Sequence, residues 1–282
     1  MNTVQDILNL STGYLAQKGI KNPKLQAEYL LCDALQLSRI QLYQQFDRPL
    51  EEQELKICRE RLARRAKGEP LGYIHGKMDF YGCQISVNKD VLIPRQETEI
   101  LVDKIVKQLE QVEVCGLHLW DVCCGSGCIG VSLKKKFPLL EVTLSDISPQ
   151  ALDLAKKNAK ENQVEVHFLQ GDLLKPFEGK KVDYLVCNPP YIAEYEFAGL
   201  DHEVRDFEPR LALIAGPSGL EMYQRLSEQM KACLAPLAKV WLEMGSSQGP
   251  SLCKLFSQSG WRNYRVDKDW AGLDRFFFLE NE

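Results

Sequence analysis

Hydrophobic positions follow two different periods along this chain. Up to about residue 70 they recur at the three- and four-residue spacing of a helix with one buried face. In TVQDILNLSTGYLAQKG, Val4, Ile7, Leu8 and Leu15 keep one side apolar. NPKLQAEYLLCDALQL opens with Asn22 as an N-cap and Pro23 at the first helical position. PLEEQELKICRERLARRAKG carries acids early and bases late, which suits the helix dipole, and stops at Gly68 with Pro70 just beyond. Residues 71–95 change character: MDFYGCQISVN reads as two extended segments around Gly82, and the stretch as a β-hairpin linker. The segment from Glu97 to Leu109 returns to a helical period.

From about residue 117 onward, short apolar runs alternate with helical stretches. The strand candidates are LHLWDVCC, LEVTLSDI, VEVHFLQGD, VDYLVCN, AKVWLEMG, NYRVDKD and RFFFLE. Helix-like segments such as CIGVSLKKKF and SPQALDLAKKNAKEN separate the first four, which means βαβ units and a parallel sheet covered on both faces. Two strands in succession close the chain, which allows the last to run antiparallel. The expected fold class is α/β: a Rossmann-like, seven-stranded, mostly parallel sheet with a small N-terminal helical domain joined by a β-hairpin linker. The expected division is 1–70 for the helical domain, 71–95 for the linker and 96–282 for the α/β domain.

Composition narrows the setting. A length of 282 residues with 45% hydrophobic content suffices for a medium domain and a small one. The 35 basic and 39 acidic residues leave a net charge of −4, with no global pull toward nucleic acid or anionic membrane. No apolar run approaches the roughly 20 residues of a membrane span. The amphipathic N-terminus does not read as a signal peptide, so a soluble cytoplasmic protein is expected. Ten cysteines sit largely inside apolar runs, without paired CxxC motifs or zinc-like Cys/His spacing. They read as reduced small hydrophobes, and no metal is expected. The run Arg59, Arg61, Arg64, Arg65 and Lys67 reads as a solvated helix face sooner than as an RNA or protein contact.

Candidate chemistry gathers at the strand ends. In DVCCGSG, Cys123, Cys124, Gly125, Ser126 and Gly127 form a strand-to-helix loop where the backbone can pass close to a ligand. Its D-x-x-x-G-x-G spacing, with Cys123 where a first glycine would stand, suits a nucleoside without phosphates better than a dinucleotide. Asp146, 19 residues past Gly127 at the end of the second strand, is placed to accept both hydroxyls of a ribose. Asp172, ending the third, is placed to receive the amine of an adenine, with Leu173 as an apolar wall. The fourth strand ends in Asn188-Pro189-Pro190-Tyr191. The Asn188 side-chain oxygen and the Pro189 carbonyl are two acceptors facing one way, held rigid by prolines that cannot donate. Such a pair fits an NH₂ group and turns its lone pair toward an electrophile, with Tyr191 as a stacking surface. An electrophile beside an adenosine without a phosphate grip suggests the methyl of S-adenosylmethionine, whose sulfonium needs no metal. Each part also has a plainer reading. The loop alone is a tight turn, Asp146 alone a helix cap that Ser148 also fills, and NPPY alone a capped turn.

DVCCGSG, SDIS, GDLL and NPPY resemble the class I S-adenosylmethionine-dependent amino-methyltransferases. EPLGYIHGKMDFYGCQISVNKDVLIPRQETEILV and HEVRDFEPRLALIAGPSGLEMYQRL are similar to the HemK/PrmC family, the peptide chain release factor glutamine N5-methyltransferases. The resemblance covers nearly the whole chain. It implies S-adenosylmethionine as cofactor, S-adenosylhomocysteine as product, and the glutamine of the release factors' Gly-Gly-Gln loop as target. It implies cofactor contacts at Cys123 to Gly127, Asp146, Asp172, Leu173, Asn188, Arg95 and Thr98, and an amide cradle at Asn188 to Tyr191 with Glu97 at the substrate mouth. Pro94 borders the methionine end of the cofactor on the same reading, and the helical domain recognises the release factor. The chain departs from the family pattern at Cys123 and Cys124 in a usually Gly-Thr loop, at Leu173 where an aromatic is common, and at Gln96 in place of proline. The segment LDHEVRDFEPRLALIAGPSGL is expected to form a loop and hairpin over the site, its mixed charges suiting a protein substrate. A monomer without membrane or nucleic-acid partners is expected. The competing reading is a nucleic-acid amino-methyltransferase acting on adenine N6 or guanine N2.

Overall fold

The helical period of the N-terminal segment becomes α1 (Val4–Gln17), α2 (Pro23–Leu35), α3 (Arg39–Gln44), α4 (Glu52–Ala66) and α5 (Leu71–His75) in a computed structural model describing residues 2–282. Thr3 starts α1 with a reciprocal capping box: its hydroxyl accepts from the Asp6 N–H and the Asp6 carboxylate accepts from the Thr3 N–H. Ser38 and Gln41 repeat the device at α3. Asn22 precedes α2 but sits at φ +52° without a side-chain cap bond, so Pro23 at the first turn is the effective start signal. Val4, Leu8, Leu15, Leu30, Leu31 and Leu42 pack the core of this unit.

This first compact unit runs to Gly76 and also takes in residues 201–207, the short helix His202–Phe207, which is α9 in chain order. The basic run is a solvated face only in part: Arg59, Arg64 and Lys67 are exposed, but Arg65 is not. Arg61 pairs with Asp33, Arg64 with Glu69, and Arg65 with Glu203 of α9. Arg65 is only 1% exposed. Its other donors reach the Gln26 side-chain oxygen at 2.7 Å and the Glu69 carbonyl at 2.9 Å. A guanidinium taken out of water needs such partners.

The second unit comprises residues 77–200 and 208–282. β1 (Lys77–Phe80) and β2 (Cys83–Ser86) form an antiparallel hairpin, its turn made by Tyr81 and Gly82 at positive φ. Then come α6 (Gln96–Leu109), β3 (His118–Val122), α7 (Cys128–Lys136), β4 (Glu141–Asp146), α8 (Pro149–Glu161), β5 (His167–Gln170) and β6 (Val182–Cys187). After them β7 (Ile192–Ala193), β8 (Ile214–Gly216), α10 (Glu221–Cys233), β9 (Leu234–Glu243), α11 (Gly249–Gln258), β10 (Tyr264–Lys268) and β11 (Asp274–Glu280) complete the chain.

All the strands expected beyond residue 117 join one seven-stranded sheet in the order β10-β11-β9-β6-β3-β4-β5. β3, β4, β5, β6 and β9 run parallel, while β11 is antiparallel to both its neighbours. β3 holds β4 on one side and β6 on the other, so strand order reverses there and a crevice opens at the carboxyl ends. Trp120, Phe177, Leu185, Tyr223, Leu242 and Phe277 belong to the main core.

The hairpin expected after NPPY is absent. β7 and β8 pair in parallel, so no tight turn can join them, and the intervening chain passes through two 3₁₀ turns and α9. The ten cysteines are free. Among the described residues no helix is long and apolar enough to cross a membrane.

Replacing Arg65 by alanine removes a buried charge and strands Gln26 and the Glu69 carbonyl. A loss of about 3 kcal/mol is expected in urea unfolding. Arg65→Lys is expected to restore only part of it, since an ammonium cannot reproduce the fork. A loss under about 0.5 kcal/mol for the alanine variant would refute the role.

Candidate active site

The carboxyl ends of β3, β4, β5 and β6 border a cavity of about 320 Å³, enough for a small-molecule ligand. Pro94, Thr98, Cys123, Cys124, Gly125, Ser126, Asp146, Asp172, Leu173, Asn188 and Pro190 line it. Gly127, Pro189, Tyr191, Arg95 and Glu97 are not among its lining residues.

The loop after β3 is shaped by residues at positive φ: Cys123 at +58°, Gly125 at +53° and Gly127 at +76°. The glycines do different work. A Cβ on Gly125 would meet nothing within 4 Å, so the loop's backbone is open to approach there. A Cβ on Gly127 would press on Leu144 at 2.7 Å and Ala155 at 3.0 Å, so this glycine lets α7 pack closely. Cys123 adopts the same left-handed backbone with a side chain, a conformation that disfavours any residue with a Cβ by about 1–2 kcal/mol.

Asp146 fastens this loop. Its carboxylate accepts from the Gly125 N–H and the Ser148 N–H, both at 2.9 Å. Burial raises its pKa, and those N–H groups oppose the rise. The cap of α8 is Ser148, whose hydroxyl accepts from the Ala151 N–H at 3.2 Å. Asp172 is tied to Arg225 and, at 3.0 Å, to Lys175. The Arg225 hydrogen bond in particular holds its pKa below the usual carboxylate range. Leu173 stands at φ +53° with its side chain buried. The lining thus carries Asp90, Asp146 and Asp172 against Lys89 and Arg225, with Arg225 already paired. These acceptors, with the open backbone at Gly125, fit the hydroxyls and amine of a nucleoside and offer little to a phosphate chain.

Asn188 continues from β6 into the cavity wall. Its side-chain NH₂ donates to Thr98 Oγ1 at 3.3 Å, which leaves Oδ1 as the free end. Thr98, in the first turn of α6, donates in turn to the Glu243 carboxylate at 2.7 Å. The Tyr191 ring packs against the core, and burial pushes its hydroxyl up to about 12. The Tyr191 carbonyl accepts from Gln248 Nε2 at 2.8 Å, and the same amide group donates to the Gly219 carbonyl at 3.1 Å. Arg95 pairs with Glu208, whose other oxygen accepts from the Ile93 N–H at 3.2 Å.

Several residues here escaped sequence reasoning. Lys89 to Leu92, counted as linker, line the cavity, as do Ile129, Ile147, Met222 and Leu211. Asp121 was visible as the acid of D-x-x-x-G-x-G, but its task was not: it is buried on β3 and accepts from the Gly130 N–H at 2.8 Å. Glu243 and Gln248 lie in LEMGSSQ, which reads only as a strand and its turn. Their signal was an acid ending an apolar strand beside NPPY.

Burial pushes Asp121 and Glu243 each up to about 7. In the unfolded chain such groups titrate near 4. Between roughly pH 4 and 7 the folded state therefore binds more protons, and stability declines as pH rises through that window. The melting temperature of the ligand-free protein is expected to fall from about pH 5 to pH 8, less steeply for Asp121→Asn. Scanning calorimetry checks this, and an equal slope in that variant rules Asp121 out as a source.

Residues 6–76 match the model of the PrmC N-terminal domain, and residues 96–201 that of the methyltransferase small domain. A release factor glutamine methyltransferase of Chlamydia trachomatis is 46% identical over 279 residues, covering 99% of this chain and 94% of its own. One from Geobacter sulfurreducens is 38% identical over 273 residues, covering 97% and 95%. Among solved structures, the hMettl16 catalytic domain superposes with a TM-score of 0.55 at 18% identity, over 78% of this chain and 80% of that one. A methyltransferase from Pyrococcus furiosus gives 0.51 at 17%, over 79% and 96%. These two share the fold. The near-complete matches at higher identity go further: the chain belongs to the release factor glutamine methyltransferase family.

Proposed function

We propose that this chain is an enzyme that moves a methyl group from S-adenosylmethionine to the side-chain amide nitrogen of the glutamine in the Gly-Gly-Gln motif of peptide chain release factors. S-adenosylhomocysteine is the other product, and the outcome is modulation of translation termination. The observation that carries the reading is the free Oδ1 of Asn188 at the wall of a nucleoside-sized cavity, in a chain 46% identical to a release factor glutamine methyltransferase.

Bound in the cavity, S-adenosylmethionine supplies a sulfonium methyl, an electrophile strong enough to react without a metal. Asp146 would accept its ribose hydroxyls, Cys123 to Gly127 would pass beneath it, Leu173 would wall the adenine, and Asp172 would take the exocyclic amine. Arg95, Thr98 and Pro94 border the methionine end on this reading. Asn188 Oδ1 and the Pro189 carbonyl accept the two N–H bonds of the glutamine amide. Pro189 and Pro190 have no N–H to compete. The two hydrogen bonds hold the amide so that nitrogen electron density faces the methyl, and the surplus proton leaves that nitrogen for solvent after transfer. No strong base is needed, because positioning alone can supply roughly 7–11 kcal/mol. Tyr191 completes the amide cradle and Glu97 borders the mouth. The helical unit holds the body of the release factor, and the enzyme works as a cytoplasmic monomer without acting on nucleic acid.

Incubation of a release factor with the protein and labelled S-adenosylmethionine is expected to add one methyl, located by mass spectrometry on that glutamine. Transfer that persists after Gln→Ala in the motif overturns the reading. Asn188→Ala is expected to lower kcat by roughly 10²–10³-fold while cofactor binding changes far less. Asp146→Ala is expected to weaken cofactor binding by on the order of tenfold.

A further inference from the structure

An asparagine side chain is nearly symmetric in shape and opposite in chemistry at its two ends. To accept from a substrate NH₂, Asn188 must show Oδ1 to the cavity. Turned over, it would set one NH₂ against another. Packing selects poorly between the two, because O and NH₂ are close in size. A polar chain behind Asn188 selects well.

β9 runs parallel beside β6 with Leu242 opposite Cys187, so Glu243 and Asn188 leave the sheet side by side. Glu243 is buried and does not line the cavity. Tyr223 OH donates to its backbone carbonyl at 2.8 Å, which fixes the residue from behind. The Glu243 carboxylate takes the Thr98 proton at 2.7 Å. A hydroxyl has one proton. With it directed at Glu243, Thr98 can only accept from Asn188, and it does so at 3.3 Å.

We propose that Glu243 is a positioning residue for methyl transfer: acting through Thr98, it fixes the Asn188 amide with Oδ1 toward the cavity. The inference rests on the reading of the site as one that holds an amide NH₂. It gives Thr98 a task beyond bordering the cofactor. The ionised carboxylate suits the task because it only accepts, so the kinetics and resonances are read at about pH 8 and above. A glutamine in its place breaks the pattern in either rotamer. With its NH₂ toward Thr98, the hydroxyl proton is released toward Asn188 Oδ1 and the amide turns over. With its oxygen toward Thr98, the NH₂ stands where the second carboxylate oxygen was, on the side of Asn188 Nδ2.

The test uses the full chain as wild type, Glu243→Gln, Asn188→Ala and the double variant. Steady-state kinetics on a release factor are paired with calorimetry of S-adenosylhomocysteine binding. A third readout is the side-chain NH₂ resonances of ¹⁵N-asparagine-labelled protein with S-adenosylhomocysteine bound and substrate absent. Glu243→Gln is expected to lower kcat by on the order of tenfold to hundredfold, from the loss of buried hydrogen bonds. The KM for release factor and the affinity for S-adenosylhomocysteine are expected to stay within about threefold, and the Asn188 NH₂ signals to move. In the Asn188→Ala background the same change is expected to do little, because its only target is gone. Equal losses in both backgrounds, a kcat within threefold of wild type, or a fall in S-adenosylhomocysteine affinity matching the fall in kcat each overturns the proposal. Should the buried glutamine not fold, Thr98→Val removes the hydroxyl at constant shape and is read the same way, with Thr98→Ser expected to retain activity. A wild-type protein that leaves release factors unmethylated defeats the proposed function instead. The resonances still decide the relay: unmoved Asn188 signals in Glu243→Gln overturn it.

Discussion

A carboxylate removed from water must be given hydrogen-bond donors or a proton, and this constraint organises the carboxyl edge of the sheet. Asp121, Asp146 and Glu243 end or nearly end three of its parallel strands. Each takes its donors from a different segment of the surrounding chain. Asp121 draws the first turn of α7 through the Gly130 N–H. Asp146 draws in the loop through Gly125 and the entry to α8 through Ser148. Glu243 draws in α6 through Thr98. The loop and the three helix starts are therefore located by the donors that these buried acids take, although Asp121 keeps one oxygen without a partner. The sheet supplies the positions of those acids at little conformational freedom, because β3, β4, β6 and β9 are pinned by their neighbours along most of their length.

What could be read ahead of the structure divides along the same line. Parallel strands and their helices announce themselves through period, and each loop motif lies within a few residues of its strand. That is why the strand order's consequences, the DVCCGSG loop, Asp146 and Asn188 were legible as one pocket. Contacts between segments far apart in sequence left no such trace. Thr98 meets Glu243 across 145 positions, and Arg95 meets Glu208 across 113. The arginines of α4 illustrate the limit most sharply. Their spacing is that of a wet helix face, yet Arg65 is buried because Glu203, 138 residues later, comes to it within the helical unit. Helical periodicity says which residues share a face; it says nothing about whether water or another segment covers that face. The hairpin misreading after NPPY has a similar origin: turn-forming residues near Gly216 and Gly219 are compatible with a reversal, but β8 pairs in the parallel sense with β7, a choice made by the fold around them.

Two of the non-glycine residues at positive φ border the cavity. Cys123 and Leu173, both at positive φ, lie at the exits of β3 and β5. A left-handed residue turns the chain abruptly at a strand end, so that the following backbone faces the crevice instead of continuing along the sheet. A glycine would take this conformation without resistance. A cysteine or leucine takes it at a cost, and here both side chains are packed: Cys123 lies against the main core and Leu173 is buried in it. At these two positions the chain exchanges backbone ease for apolar contact.

That exchange also bears on how the site can discriminate. A cavity whose floor is strained backbone and whose wall is an acceptor fixed through Thr98 has little freedom to adapt to a different nucleophile. On the proposed reading, with Asn188 Oδ1 and the Pro189 carbonyl as the acceptors, a hydroxyl or thiol offers at most one hydrogen to the pair, so one acceptor stays unmatched. Leaving a buried acceptor unmatched costs about 1–3 kcal/mol. An NH₂ matches both. On that reading, selection for an amide or amine follows from the number of acceptors at the end of β6, before any feature of the surrounding protein substrate is considered. The choice among NH₂ groups, glutamine against a nucleobase, must then come from what the rest of the chain admits to the mouth.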